Sequence, residues 1–194
     1  MDDGAIQCNR PTIFPTDMRL KRLKSGFPAF AVFVISLALY GLVLPSDLSW
    51  ANYGSDGGDF MAALLTGGIP HPTGYPTYLL AGGLFIQIPF GTPVWRAALL
   101  SACSAAAAAA LLCAWIQKLL TPSLPHILAA GVAAVVGLSM SISPLLYSQA
   151  VIVEVYGLQS LFFALAIWWI DRIQPPQPSG GWLLPAILAF CFGL

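Results

Sequence analysis

Uncharged apolar blocks alternate along this chain with short polar stretches rich in proline and glycine. Residues 27–44 form the first block, 18 residues without a charged side chain. A helix needs about 20 apolar residues to cross a bilayer core, so this block predicts a retained membrane helix. A cleaved signal peptide is the alternative. The block is too long for one, and Pro45, Ser46 and Asp47 follow it where a small-residue cleavage site would stand. Further helices are expected over 95–116, from 127 to about 143, and over 151–170. A last apolar run opens near Trp182 and stops 13 residues on, with the sequence itself. That is short of a span, so the natural protein is expected to be longer.

Residues 75–90 are also apolar, but 16 residues make a helix of only about 24 Å against a core of about 30 Å. Two topologies follow. If the segment spans, Lys118 and Arg172 fall outside the cytosol and Glu154 inside. If it is interfacial or re-entrant, Lys118 and Arg172 are both cytosolic, in keeping with the positive-inside rule. The second arrangement also gathers Asp56, Asp59, His71, Arg96, Gln149 and Glu154 on the opposite side, and it is the one expected here.

Composition strengthens the membrane reading. The chain is 58% hydrophobic and 8% charged, where soluble domains carry roughly 25% charged residues. So little polar surface cannot cover a water-facing globule, which makes lipid the expected solvent for most of the chain. Net charge is zero, which gives no case for a nucleic-acid partner. Its distribution says more: Arg10, Arg19, Lys21, Arg22 and Lys24 all precede the first helix. Residues 1–24 therefore read as a basic cytosolic tail. Residues 25–194 read as an all-α polytopic membrane domain, with an exterior loop over about 45–94. The six alanines from Ala105 to Ala110 allow close approach of helix backbones and predict a helix central to the bundle. Cys8, Cys103, Cys113 and Cys191 show neither disulfide nor metal-ligand spacing.

The chemistry concentrates in the exterior loop. Residues 59–65 predict a short helix, with Gly57 and Gly58 before it and Gly67 and Gly68 ending it. Asp56 and Asp59 would flank its N-terminus, where the helix dipole favours a carboxylate. Three residues apart, they can act as a pair, suited to general-base work or to a divalent cation; no metal or other cofactor is assigned. Pro70, Pro72 and Pro76 stiffen the backbone around His71. Arg96 is suited to gripping a phosphate. Glu154 is an ionisable group at membrane depth and asks for a reason. On a regular helix Gln149, Ile152, Val153 and Tyr156 share a face, and Glu154 lies about 140° from Gln149. Ser143 and Pro144 would bend the chain ahead of them. The plainer readings are a solvated Asp-Gly-Gly-Asp turn, a loop histidine, an interfacial arginine and a paired structural glutamate. Together these residues suit a lipid-linked phosphate substrate.

Their order also resembles a known family. Asp56-Gly57-Gly58-Asp59, then Gly68-Ile69-Pro70-His71-Pro72-Thr73-Gly74-Tyr75-Pro76, Pro93-Val94-Trp95-Arg96, and Ser148-Gln149 through Glu154-Val155-Tyr156 are similar to a bacterial membrane family of formerly unknown function. That family is related to protein O-mannosyltransferases and other GT-C glycosyltransferases. The resemblance implies a GT-C fold in the bacterial plasma membrane. It also implies a polyprenyl-phosphate sugar donor and an acceptor hydroxyl on the non-cytosolic face. By position Asp56 and Asp59 match the family's Asp-x-Gly-Glu site, with Asp in place of Glu at 59. His71 and Pro72 match the start of its His-Pro-Pro-Gly-Tyr-Pro motif, with Thr73 replacing the second proline. The resemblance makes Asp56 or Asp59 the base, sets Arg96 and His71 at the departing phosphate, and puts Gln149, Glu154 and Tyr156 around the cavity. A transporter or non-catalytic membrane subunit is the alternative.

Overall fold

The computed structural model describes the backbone of residues 16–171 and side chains from residue 26 onward. Seven α-helices and one 3₁₀ turn make up the described residues, and there is no strand among them. The helices are α1 (Thr16–Gly41), α2 (Gly57–Thr66), α3 (Pro76–Ile86), α4 (Pro93–Leu120), α5 (His126–Ser141), α6 (Pro144–Ala150) and α7 (Tyr156–Ile170); the 3₁₀ turn is Ala51–Tyr53.

The alanine run behaves as its composition predicts. α4 packs against all six other helices, and Ala105, Ala106, Ala108 and Ala109 are fully buried on it. With no side chain beyond Cβ, these positions let α1, α5 and α7 come close to the α4 backbone. Gly137 of α5 meets α4 in the same way, lying against the Ala109 carbonyl and Cys113. Thr92 caps α4 through its hydroxyl, which accepts from the Trp95 N–H at 3.1 Å, and Pro93 takes the first-turn position where a missing N–H is harmless.

α4 has 28 residues, about 42 Å, and is the one described helix long and apolar enough to cross a membrane unaided. α5 and α6 pass the same test only as a pair, bent by 63° at their break. That break falls at Ser143–Pro144, where the sequence places it: Pro144 cannot continue the α5 hydrogen-bond ladder. α3 is 11 residues, about 16 Å, too short to span. A polytopic bundle is thus not a feature the helix lengths establish.

Two boundaries differ from expectation. α1 already begins at Thr16, so the backbone of the basic stretch 19–24, expected ahead of the first helix, is part of it. The expected helix over 151–170 starts at Tyr156. Residues 151–155 are a buried, non-helical segment, and the expected shared face of Gln149, Ile152, Val153 and Tyr156 does not exist. The physical reason is tertiary. Ser101 on α4 donates its hydroxyl hydrogen to the Glu154 backbone oxygen at 2.9 Å, supplying a partner that a helix would otherwise provide. The apolar run near Trp182, Arg172, and the tail before Thr16 lie outside the described residues.

The long helices share one end with the loops that matter. Tyr40, near the close of α1, donates to the Ser141 carbonyl at 2.8 Å. Thr92, before α4, reaches the Ser46 carbonyl at 2.6 Å. The segment 151–155 adjoins Ser101, in the third turn of α4. At the other end Lys118 pairs with Asp171, and Gln117 meets His126 at 3.4 Å.

Candidate active site

α2 builds one wall of the site. Asp56 starts it: the Asp56 carbonyl accepts the Phe60 N–H at 3.0 Å, while its side chain makes no capping hydrogen bond and is left free to face the loop. Gly67 ends α2 in the left-handed conformation at φ +70°, and Gly68 closes the turn onto the Ala63 carbonyl, the usual helix stop. The chain then runs back over α2 through the proline-rich stretch. Gly74 (φ +86°) and Tyr75 (φ +45°) are both left-handed, and the Gly74 N–H returns to the His71 carbonyl at 2.9 Å. This tight reversal brings the Tyr75 ring beside the His71 ring, 5.2 Å between centroids.

His71 joins the two aspartates. Asp59 Oδ2 accepts the His71 backbone N–H at 2.7 Å and lies 2.7 Å from ring Nδ1. On the other side of the ring, Nε2 is 3.2 Å from the Tyr75 hydroxyl and 3.7 Å from Asp56 Oδ2. Phe60, fully buried, packs under the rings of His71 and Tyr75 at 5.6 and 5.2 Å. The two carboxylates expected as a direct pair are thus separated by an imidazole. The His71 N–H groups, backbone first and ring second, hold the Asp59 carboxyl below its ordinary range. Asp59 is therefore ionised at neutral pH, and the proton of a neutral His71 ring sits on Nδ1.

Glu154 forms the floor. It is 3% exposed and interacts with the backbone N–H groups of Val155 and Asp56, while its Oε2 has no protein partner. Burial, and then the charge of Asp56, push its carboxyl up to about 7. Burial also raises the Tyr75 phenol, followed by the charges of Asp56, Tyr156 and Glu154. Glu154 is thus an electrostatic neighbour of Asp56, His71 and Tyr75, and Tyr75 of Asp56 and Tyr156.

Two expected residues stand aside from this cluster. Arg96 donates through Nε to the Phe90 carbonyl at 3.0 Å and through Nη1 to the Ile86 carbonyl at 2.7 Å. It braces the end of α3 and, among the described residues, makes no hydrogen bond or ion pair with an acidic side chain. Gln149 donates to the Asn52 carbonyl at 3.2 Å, pinning the 3₁₀ turn to α6. Gln149 and Tyr156 instead edge a cavity of about 650 Å³ between α4, α6 and α7, lined by apolar residues such as Leu111, Leu112, Trp115 and Leu146. Tyr75, Phe60 and Ser101 belong to the site without having been singled out as such. The helical spacing of Phe60 from Asp56 and the four-residue step from His71 to Tyr75 were the available signals. Among the described residues no group of three or more His, Cys, Asp or Glu side chains is arranged to hold a metal ion.

Fold and site define a helical domain with an Asp–His–Asp cluster and a buried glutamate at one end of its bundle. A profile of the family described as the protein O-mannosyl-transferase TMEM260 N-terminal domain matches residues 56–194, beginning at the first aspartate of that cluster. The chain belongs to this family. Protein O-mannosyl-transferase TMEM260 of Mus musculus is 35% identical over 145 residues, covering 74% of this chain and 19% of the mouse protein. The chain thus spans about a fifth of the length of that relative. The expected relation to protein O-mannosyltransferases holds. No solved structure matches the chain.

Proposed function

We propose that this chain is the acceptor-side portion of a membrane glycosyltransferase that moves a sugar, mannose by its family, from a polyprenyl-phosphate donor to an acceptor hydroxyl. The observation that carries the reading is the hydrogen-bonded Asp59–His71 pair beside Asp56 and Glu154, set next to an apolar cavity. Glycosyl transfer needs a group to take the acceptor's proton as its oxygen attacks the anomeric carbon. It also needs positive or hydrogen-bonding groups where charge grows on the leaving phosphate. The Asp56–His71–Asp59 cluster supplies the first, and Arg96, in the first turn of α4 at the same end of the bundle, is assigned the second. Gln149 and Tyr156 sit where the head of a lipid-linked donor would leave the cavity for the cluster. Orientation follows the charges: the basic residues from Arg10 to Lys24, with Lys118, mark the cytosolic side, and the cluster faces the opposite side of a bilayer.

The α5–α6 break is the feature a transporter would share. It lies beside Tyr40, at the cluster end, whereas transporters break their helices near the midplane. The test uses the full-length protein in membranes with a panel of radiolabelled polyprenyl-phosphate sugars. Transfer or donor hydrolysis that Asp56→Asn or Asp59→Asn abolishes supports the reading. Folded protein that turns over no donor refutes it.

A further inference from the structure

We infer that the proton-accepting atom of this site is Nε2 of His71, and that Asp59 is the positioning residue that fixes the ring for that task. The inference rests on the glycosyl-transfer reading above and deepens it, because carboxylate chemistry alone leaves the base unassigned between Asp56 and Asp59.

The geometry separates the three candidates. Asp59 Oδ2 already accepts two short hydrogen bonds from His71, one from the backbone and one from the ring. A substrate hydroxyl would have to share this carboxylate with the loop that it already holds in place. Asp56 accepts a hydrogen bond, among the described residues, from its neighbour Ser55 at 3.1 Å; its side chain is 43% exposed and meets His71 Nε2 at only 3.7 Å, so it is held less firmly than the ring. His71 is the opposite case. Its Nδ1 is anchored by Asp59, its ring is held between Phe60 and Tyr75, and its backbone N–H is tied to the same carboxylate. The remaining ring nitrogen therefore has one direction and an available lone pair.

A hydroxyl already occupies that direction: the Tyr75 O–H stands 3.2 Å from Nε2, a long contact that a better-placed acceptor hydroxyl would replace or share. A general base also works best when its pKa lies near the working pH, and imidazole as a class lies nearer than carboxylate. The groups facing His71 are Asp56 and Asp59 from α2 and Glu154 from the segment before α7, with the Tyr75 phenol at the start of α3.

The step balances without a co-reactant. The acceptor oxygen forms its bond to the anomeric carbon as that carbon's bond to the phosphate oxygen breaks. The bonding pair leaves with the polyprenyl phosphate. The hydroxyl proton passes to Nε2, giving an imidazolium between two carboxylates, and is then released to solvent, which restores the neutral ring.

The test is the pH dependence of kcat for mannosyl transfer by the full-length protein in membranes, from a mannosyl polyprenyl phosphate to a serine- and threonine-containing peptide mixture. His71→Gln is expected to lower kcat about 100-fold or more with little change in donor KM. Asp59→Asn is expected to move the acid limb of the profile to lower pH, because losing the carboxylate removes a charge that favours the imidazolium. A merely structural Asp59 would lower kcat at every pH and leave the limb in place, and this readout does not depend on whether His71→Gln folds. Active wild type with His71→Gln retaining more than about a tenth of kcat, against the loss expected of a base, overturns the assignment alone. So does a limb that vanishes only in Asp56→Asn, which would make Asp56 the base. Folded wild type without transfer from any donor overturns the glycosyl-transfer reading and this role together.

Discussion

Gly157 rests directly on the backbone of Ser101: a Cβ added to it would stand 2.6 Å from the Ser101 carbonyl oxygen and 3.0 Å from its Cα. Ser101 in turn holds the Glu154 backbone through its hydroxyl. One contact between α4 and α7 thus sets both the start of α7 and the position of the buried glutamate. The clash in Gly157→Ala is with backbone, which cannot rotate away, so the two helices must separate. The expected loss is about 1–3 kcal/mol, typical of overpacking. Thermal unfolding in detergent should show a lower Tm, with transfer activity falling alongside it as Glu154 shifts. An unchanged Tm would mean that α7 does not seat on Ser101.

Glu154 gives the fold a pH dependence of known sign. Folded, the carboxyl keeps its proton up to about 7, against 4.5 for an unperturbed glutamate. Between these values the unfolded chain releases a proton that the folded chain retains, so stability falls as pH rises through the window and levels off above it. Glu154→Gln imitates the protonated form and lacks this dependence. Its Tm relative to wild type should therefore increase from pH 4.5 towards pH 7. Parallel curves for the two proteins would show that the carboxylate ionises without penalty and is not buried as described.

Local signals made part of this arrangement readable from residues alone. Gly67 and Gly68 mark the end of α2, Pro144 marks the break after α5, and Ala105 to Ala110 mark the helix that the rest packs around. Each is a short-range rule acting within a few residues. The 151–155 segment was not readable in the same way. Val151, Ile152, Val153 and Val155 are apolar and buried, and apolar content cannot separate a helix from an extended buried run. Ser101, 53 residues away, decides between them. The site divides similarly. The aspartates and the histidine stand out by type, but His71 bridging Asp59 and Asp56 depends on the chain running back over α2 after Gly67, which only the fold reveals. Arg96 stood out as a cation, while its acceptors, the carbonyls of Ile86 and Phe90, exist as a pair only once α3 ends where it does.

Arg96→Lys tests that bracing role separately from charge. Lysine keeps the positive charge but has no planar fork with which to reach two carbonyls at once. Hydrogen bonds from charged donors contribute about 1.5–3 kcal/mol each, and a half-buried site keeps the lower part of that range. The expected outcome is a clear drop in Tm and faster hydrogen exchange across residues 84–92, where the α3 end frays. If Tm and exchange both stay at wild-type levels, the guanidinium is not holding the α3–α4 connection.

The apolar cavity makes a prediction that depends on donor chain length. Its wall on α7 runs from Tyr156 to Ala164 and Ile167. Ala164 is eight residues along the helix from Tyr156, about 12 Å further from the cluster. Ala164→Trp adds bulk to the cavity at that depth and leaves the Tyr156 end unaltered. Lipid and cavity are equally apolar, so moving a polyprenyl chain from one to the other gains nothing from the hydrophobic effect, and binding depends on fit. A chain that threads the cavity must meet the new indole, and a misfit of about 1.4 kcal/mol raises KM about tenfold. A donor whose chain is only two isoprene units long ends before it reaches Ala164. KM should therefore rise for the long-chain donor and stay level for the short one, with kcat for the short donor retained. If both donors weaken equally, the substitution acts through the fold and the lipid chain lies elsewhere; if neither changes, the cavity is not part of the donor's path.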